Sequence, residues 1–330
     1  MRREGSPWQG LGTVFVKELA DHVTSVRMRV LEILIVVIAV LAVAGALGQI
    51  RDTTAEDPFV LLKLFTVTKW PPLSLIVILG ILIPLPAICL ACDAVNGEHN
   101  RRTLSRVLSQ PIYRDALLAG KFLAALATIA ISLLCLWLLV VGLGIIFLGV
   151  PPSGEEVVRS LAFMLVTIAY AGTWLALAML LSIVFRSVAT ALLVALGLWL
   201  FLTLLWPLMV PAIAGVIAPP DPRFEALAAQ LGLPTPGTPG TWEWTQILSR
   251  LSPNYLFVGA ATSLLVPDSS GIGLHFLVQL NRLQGGAIPA PLPLTSSLAI
   301  ASPWAVALIA GVIVLFVAGY VLFQRQEVRA

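Results

Sequence analysis

The chain has 330 residues, of which 58% are hydrophobic and 11% are charged, and its mean hydropathy is +0.97. A soluble domain carries about 25% charged residues, so this composition excludes a water-soluble globular protein. The net charge of +3 comes from residues that lie between the apolar runs and form no basic face, which excludes a nucleic-acid-binding protein.

The first predicted element is an amphipathic helix within residues 1–29. Apolar residues recur there at helical spacing, and Lys17, Glu18, Asp21 and Arg27 fall largely between them. Such a helix lies along a membrane surface, so we expect an interfacial helix before the first span. The apolar positions are Leu11, Val14, Phe15, Leu19, Val23, Val26 and Val30.

Six apolar runs follow, and each predicts a transmembrane helix because about 20 residues cross the hydrocarbon core. The runs lack the strict alternation of a membrane β-barrel. We therefore predict an all-α integral membrane protein, a single transmembrane domain over residues 1–330 with spans one to five within residues 30–210. The third run is long for a bilayer, which predicts a tilt or a protruding turn. The predicted spans are residues 30–47, 73–94, 122–148, 161–185, 188–210 and 303–323.

A long segment, residues 211–302, separates the fifth and sixth predicted spans and is interrupted by many prolines. Three stretches within it have a helix-like pattern, at residues 224–231, 242–251 and 272–283, and each is too short to cross a membrane. We expect short extracytoplasmic helices here that lie in the interface or re-enter the bundle.

The distribution of basic residues predicts the orientation. Most of the 20 Lys and Arg residues precede the first span, lie between the second and third spans or between the fourth and fifth, or follow the sixth. Loops rich in Lys and Arg stay in the cytoplasm. The sequence therefore predicts a multi-pass protein of the plasma (inner) membrane with both termini, including the tail at residues 324–330, in the cytoplasm.

The sequence carries no motif for nucleotide hydrolysis. The Gly120-Lys121 pair has Asp115 where a P-loop has its first glycine, and Phe122 where a P-loop has Ser or Thr. The C-x-x-C pair of the second span lacks a second ligand pair, and the three histidines lie far apart. We therefore predict that the chain is no enzyme and has no catalytic, metal or cofactor site.

The polar stretch at residues 96–121 reads NGEHNRRTLSRVLSQPIYRDALLAGK. It resembles the segment between the second and third spans of type-2 ATP-binding-cassette (ABC) permeases, which ends in Gly-Lys at the start of the next helix. That family commonly has glycine where Arg102 stands. Residues 17–19 (Lys-Glu-Leu) and 251–253 (Leu-Ser-Pro) also resemble the family. The matching residues of the stretch are Gly97, Glu98, Thr103, Leu104, Leu108, Ser109, Pro111, Arg114, Gly120 and Lys121.

The resemblance implies the membrane-spanning permease subunit of an ATP-driven exporter. It implies a coupling helix in the 96–115 loop that docks onto a separate ATP-binding subunit, where ATP and Mg²⁺ are expected, while this chain binds no cofactor. It also implies a dimer with the same or a similar permease. The residues expected to contact the ATP-binding subunit are Glu98, Arg101, Arg102, Thr103, Leu104, Arg106 and Leu108.

The cargo path is expected along the mostly apolar faces of the second and fifth spans, including Trp199 and Thr203, which favours an amphipathic or lipid-like cargo. Membrane lipid and an extracytoplasmic accessory protein are further expected partners, and nucleic acid is not.

Two other functions stay open at this point. One is an ATP-driven mechanical transmitter that acts on an extracytoplasmic partner through the long segment between spans five and six, without moving cargo. The other is a secondary carrier. The sequence disfavours the carrier because the predicted spans have few titratable groups, and Glu32 and Asp93 lie near predicted inner ends.

Overall fold

The computed structural model of the protein describes residues 10–50, 59–66, 74–97, 114–149, 151–219, 223, 239–267 and 291–325. Within these residues the chain is helical and contains no strand, as the sequence predicted. Five helices are long and apolar enough to cross a membrane: Met28–Gly48, Asp115–Leu148, Gly154–Val184, Val188–Ile217 and Leu294–Arg325.

We number the helices of the described residues α1 to α12 in chain order. A π-helical turn, Phe201–Leu205, joins α8 to α9 within the fifth predicted span. The bounds are α1 Leu11–Thr24, α2 Val26–Ile50, α3 Val60–Thr66, α4 Leu75–Leu82, α5 Pro84–Ala91, α6 Arg114–Leu148, α7 Gly154–Val184, α8 Val188–Leu200, α9 Trp206–Ile217, α10 Pro239–Ser249, α11 Pro253–Leu265 and α12 Leu294–Arg325.

Several helices extend beyond the apolar runs that predicted them. Helix α7 begins at Gly154, seven residues before the predicted span, because a capping box stabilises its first turn. The Ser153 hydroxyl accepts a hydrogen bond from the Glu156 N–H at 3.2 Å, and the Glu156 carboxylate accepts one from the Ser153 N–H at 2.8 Å. Hydropathy marks the apolar part of a helix, whereas capping decides where the helix starts.

The second predicted span differs from the others. It consists of α4 and α5, which together cover only Leu75–Ala91. Pro84 has no backbone N–H, so it cannot bond to the Gly80 carbonyl one turn earlier. That carbonyl accepts a hydrogen bond from the Tyr170 hydroxyl of α7 at 2.7 Å. A contact between helices replaces the bond that the proline removes.

The fifth predicted span, which consists of α8, the π-helical turn and α9, is also interrupted by a proline. In the π-helical turn, the Trp206 N–H bonds to the carbonyl of Phe201, five residues earlier. The next bond of this pattern would join residue 207 to Leu202, but Pro207 has no N–H. The Ser252 hydroxyl donates to the Leu202 carbonyl instead, at 2.8 Å. Ser252 belongs to the Leu-Ser-Pro motif, so that motif stabilises the interrupted helix.

Helix α7 lies at the centre of the bundle. Its most apolar window is 61% buried, whereas those of the other four long helices are at most 28% buried. Small residues allow α12 to pack closely against it: Gly311 lies beside Thr173, and Gly319 lies beside Leu180. The Tyr170 and Trp174 side chains of α7 are fully buried.

The segment between the fifth and sixth spans contains two described helices. Helix α10 corresponds to the predicted stretch 242–251, while the stretches 224–231 and 272–283 lie outside the described residues. The sequence did not predict α11, whose 13 residues are too few to span. This helix is buried in the bundle, where Phe257 stacks on Tyr170 with a centroid distance of 4.7 Å.

Candidate coupling site at the loop end of the bundle

The residues predicted to contact an ATP-binding subunit lie outside the described residues. The structure does describe the chain on both sides of them, at Gly97 and at Arg114. We call this end of the bundle the loop end, and residues 98–113 the polar loop. The predicted contacts within the polar loop are Glu98, Arg101, Arg102, Thr103, Leu104, Arg106 and Leu108.

The chain enters the polar loop at residues bound to the end of α7. The Ser182 hydroxyl accepts hydrogen bonds from the N–H groups of Val95 at 3.1 Å and Asn96 at 3.3 Å. The Asn96 side-chain amide donates to the Phe185 carbonyl at 3.4 Å. Ser182 and Asn96 are both buried. The entrance to the polar loop is therefore attached to the central helix.

The chain leaves the polar loop into α6, whose first turns pack against α1. A Cβ atom at Gly120 would lie 2.8 Å from the Val14 Cγ1 atom, so only glycine allows this approach without displacement. The next residue, Lys121, has its Nζ atom 3.0 Å from the Glu18 Oε1 atom. Lys121 and Glu18 are 7% and 8% exposed, so the ion pair is buried between the two helices.

The surroundings of Glu18 keep its carboxylate charged. Burial is the largest influence on the pKa of Glu18 and by itself raises it. The charges and hydrogen bonds of Lys121 and Lys17 together exceed that influence, so the pKa of Glu18 lies below its usual value. Lys17 also contacts Glu18 at 3.0 Å, but its own side chain is 64% exposed. Lys121 is the buried partner.

His22 belongs to the same cluster of charged groups. Burial is the main cause that lowers the pKa of His22, and the charge of Lys121 lowers it further. Glu18, Asp93 and Asp21 act in the opposite direction. Asp93 lies in the turn after α5, so α1, α6 and the approach to the polar loop contribute charges to one small region.

The position of Glu18 differs from the prediction. The sequence pattern grouped Glu18 with the polar residues between the apolar positions, whereas the structure buries it one turn after Val14 on the same face of α1. Burial is tolerated because Lys121 neutralises the charge. The helix itself is present, and its place at a membrane surface stays a prediction.

The last helix also reaches the loop end. The Gln324 side-chain amide, near the end of α12, donates a hydrogen bond to the Asp115 carboxylate at the start of α6. The two chain segments that flank the polar loop are thus attached to α7 on one side, and to α1 and α12 on the other.

Three other residues that the sequence analysis named, Glu32, Trp199 and Thr203, lie outside this cluster of charged groups. The Glu32 carboxylate of α2 accepts a hydrogen bond from the Ser132 hydroxyl of α6. The Trp199 Nε1 and Thr203 Oγ1 atoms are buried and have no hydrogen-bond partner among the described residues. Among all the residues that the structure describes, no three His, Cys, Asp or Glu side chains lie close enough together to hold a metal ion.

These features define a multi-pass helical membrane protein with a polar loop attached to several of its helices. The chain matches the family model described as ABC-2 family transporter protein over residues 13–328, and it belongs to this family. It is 31% identical over 221 residues to the probable ABC transporter permease protein NosY of Pseudomonas aeruginosa. That match covers 61% of this chain and 70% of the relative. The predicted membership of the ABC permease family is confirmed, and the chain is a transporter permease subunit.

Proposed function

We propose that this permease is the membrane-spanning half of an ATP-driven exporter in the inner membrane, with both termini and the polar loop in the cytoplasm. A separate ATP-binding subunit binds ATP and Mg²⁺ and docks onto the polar loop through Glu98, Arg101, Arg102, Thr103, Leu104, Arg106 and Leu108. Membership of the ABC-2 family supports an ATP-binding partner. The observation that carries the coupling role is the attachment of both ends of the polar loop to α1, α6, α7 and α12.

The attachments give a physical route for the motion. A displacement of the polar loop pulls on the end of α7 through the Ser182 hydrogen bonds, and on α6 directly through the chain. Helices are stiff, and packed cores shift between discrete arrangements instead of deforming smoothly. Movement at the loop end therefore reaches the far end of the central helix. The chain itself breaks no covalent bond in this cycle.

The cargo path is proposed between two permeases, either two copies of this chain or this chain and a similar one. Helices α8 and α9 support this arrangement because only 17% of their most apolar window is buried within one chain. The Trp199 Nε1 and Thr203 Oγ1 atoms of this apolar stretch have no hydrogen-bond partner within the part of the chain that the structure describes. A path that is apolar with few hydrogen-bonding groups fits an amphipathic cargo.

The experiment is a pull-down of the tagged chain from its native membrane in mild detergent, followed by protein identification and an ATPase assay. We expect a P-loop ATPase to co-purify with the unmodified chain, and to be lost when Arg101, Arg102 and Arg106 are changed together to Glu. The matched control reverses Arg29 and Arg325, which are exposed but lie outside the polar loop, and should retain the ATPase. Recovery of the unmodified chain without any ATPase would refute the proposal.

A second candidate, an ATP-driven mechanical transmitter, is favoured by one observation at the end of the bundle away from the polar loop. Arg159 of α7 donates to the Leu264 carbonyl at 3.1 Å, to the Ser297 hydroxyl at 2.8 Å and to the Leu292 carbonyl at 2.6 Å. Motion of α7 would thus be passed to α11 through Leu264 and to the chain at the start of α12 through Leu292 and Ser297. ATP-dependent movement of a lipid-like fluorescent cargo in reconstituted vesicles supports the exporter, whereas nucleotide-dependent binding of an extracytoplasmic protein without cargo movement supports the transmitter.

A further inference from the structure

Helix α1 is joined to α2 through a single residue, Ser25. Ser25, between α1 and α2, has an extended backbone with φ −69° and ψ 136°. The α-helical pattern is interrupted there, and the Ser25 hydroxyl accepts a hydrogen bond from the Met28 N–H at 3.2 Å, so α2 begins as a separate helix attached to the end of α1. What holds α1 in place is its packing against α6.

That packing depends on two adjacent residues of α6. Gly120 allows the Val14 side chain to lie against the helix backbone, and Lys121 pairs with the buried Glu18 carboxylate. Residues 120 and 121 lie less than two turns after the start of α6 at Arg114, where the polar loop ends. A force that acts on the polar loop therefore reaches the ion pair before it reaches the middle of the bundle.

The ion pair is suited to transmit such a force. A buried pair of opposite charges is directional, and separating it leaves charge in a poorly solvated place, which is strongly unfavourable. The close packing of Val14 against Gly120 holds the two helices in register at the same point. The pair therefore ties the movement of α1 to the movement of the first turns of α6.

We propose that Glu18 and Lys121 are positioning residues for energy coupling, because their buried ion pair joins α1 to α6 so that both helices move with the polar loop as one lever. The inference rests on the proposed function, since it assumes that an ATP-binding subunit moves the polar loop. Through Ser25, the lever also displaces the start of α2. The ATP-driven motion thereby reaches the first span as well as the third and the fourth.

The test measures distances between spin labels in the complex with the co-purified ATPase, reconstituted in lipid nanodiscs. The native cysteines Cys89, Cys92 and Cys135 are first replaced by alanine. One label pair, Ala20→Cys with Leu123→Cys, reports on α1 and α6, and the other, Ala20→Cys with Leu193→Cys, reports on α1 and α8. All three labelled side chains are exposed. Addition of ATP and vanadate should change the α1–α8 distance and leave the α1–α6 distance unchanged.

The Glu18→Gln variant should still co-purify with the ATPase, but it should lose the ATP-dependent change of the α1–α8 distance. The Lys121→Arg variant, which keeps the charge, should retain the change. The matched control is Lys17→Gln, which removes the exposed partner of Glu18 and should behave as the unmodified chain.

The outcomes separate the two proposals. If the unmodified chain brings down no ATPase, the proposed function fails and this inference fails with it. If the unmodified complex responds to ATP and the Glu18→Gln complex responds equally, only the positioning role is refuted. An ATP-dependent change of the α1–α6 distance in the unmodified complex also refutes that role, and this measurement needs no variant of the ion pair.

Discussion

The two ends of the central helix α7 are held in different ways. At the far end, Arg159 is completely buried, and its guanidinium makes five hydrogen bonds, which matches its five N–H donors. At the loop end, the hydrogen bonds described above between α7 and the entrance to the polar loop are neutral ones, accepted by Ser182 and Phe185. A saturated buried charge makes a rigid anchor, whereas neutral hydrogen bonds separate at modest cost. We therefore expect the loop end of α7 to separate from its neighbours more easily than the far end, and four measurements test how the two ends are held.

The largest effect is expected for Arg159→Met. This change leaves the Leu264 and Leu292 carbonyls and the Ser297 hydroxyl without their buried donor, and each such group costs about 1–3 kcal/mol. We expect a large fall in the unfolding temperature of the purified protein in detergent. The control, Arg325→Met, changes an exposed arginine and should leave the temperature nearly unaltered. Equal unfolding temperatures for both variants would contradict the anchor.

The next effect in size is expected for Gly120→Ala. The new methyl group overlaps Val14, and overpacking of this kind costs about 1–3 kcal/mol, so α1 should detach from α6 more often. Hydrogen exchange of the α1 amides measures this detachment. The control is Gly142→Ala in the same helix, where nothing lies within 4 Å of the added atom. Adding Val14→Ala to Gly120→Ala removes the 2.8 Å contact but keeps the Val14 Cβ atom at 3.0 Å, so it should restore slow exchange in part, and no slowing at all would argue against a steric cause.

A smaller effect is expected for Ser182→Ala. The buried N–H groups of Val95 and Asn96 share this one acceptor, so its removal costs about 1–3 kcal/mol, less than the loss of the three contacts of Arg159. Hydrogen exchange at these two amides should become faster, and the unfolding temperature should fall less than it does for Arg159→Met. Ser302→Ala is the control because the Ser302 hydroxyl is exposed and bonds only to its own helix. A fall in unfolding temperature as large as that of Arg159→Met would remove the distinction between the two ends.

The smallest effect is a dependence of α1 docking on pH. Because the pKa of His22 is lowered in the docked state, undocked α1 takes up a proton first, near the usual value of 6.5, and docking weakens as the pH falls below that value. The pKa of Glu18 is also lowered, so its contribution is present above the usual value of 4.5 and is lost as the pH falls through the lowered one. The mobility of a spin label on Ala20 should rise on acidification in these two steps.

The control for this titration is His22→Gln, which should remove the step near pH 6.5 and keep the more acidic one. If His22→Gln retains both steps, the step near pH 6.5 belongs to a titratable group other than His22.

Much of the fold followed from the sequence, while the contacts of the candidate site did not. The apolar runs predicted the five long helices, and the short motifs predicted the family. The periodicity of α1 places position 18 on the same face as Val14, but a glutamate there does not predict burial, because its partner Lys121 lies 103 residues away. The Lys-Glu-Leu and Gly-Lys motifs were visible signals, but a motif does not show which other motif it contacts. Helix α11 was not predicted: its 13 residues are too few to indicate a span and include Asn254, Thr262 and Ser263 among the apolar ones.

The sequence by itself determined the class of the protein, since backbone groups in lipid must be satisfied within each segment and a long apolar run therefore has to form a helix. Only the tertiary structure decided which helices meet and how the chain compensates for its prolines. The Tyr170 hydroxyl bonds to Gly80, and the Ser252 hydroxyl bonds to Leu202, across 90 and 50 residues of chain. These hydrogen-bond partners meet only where two helices approach closely. The packing of the whole bundle sets that approach, and no local pattern of residues encodes it.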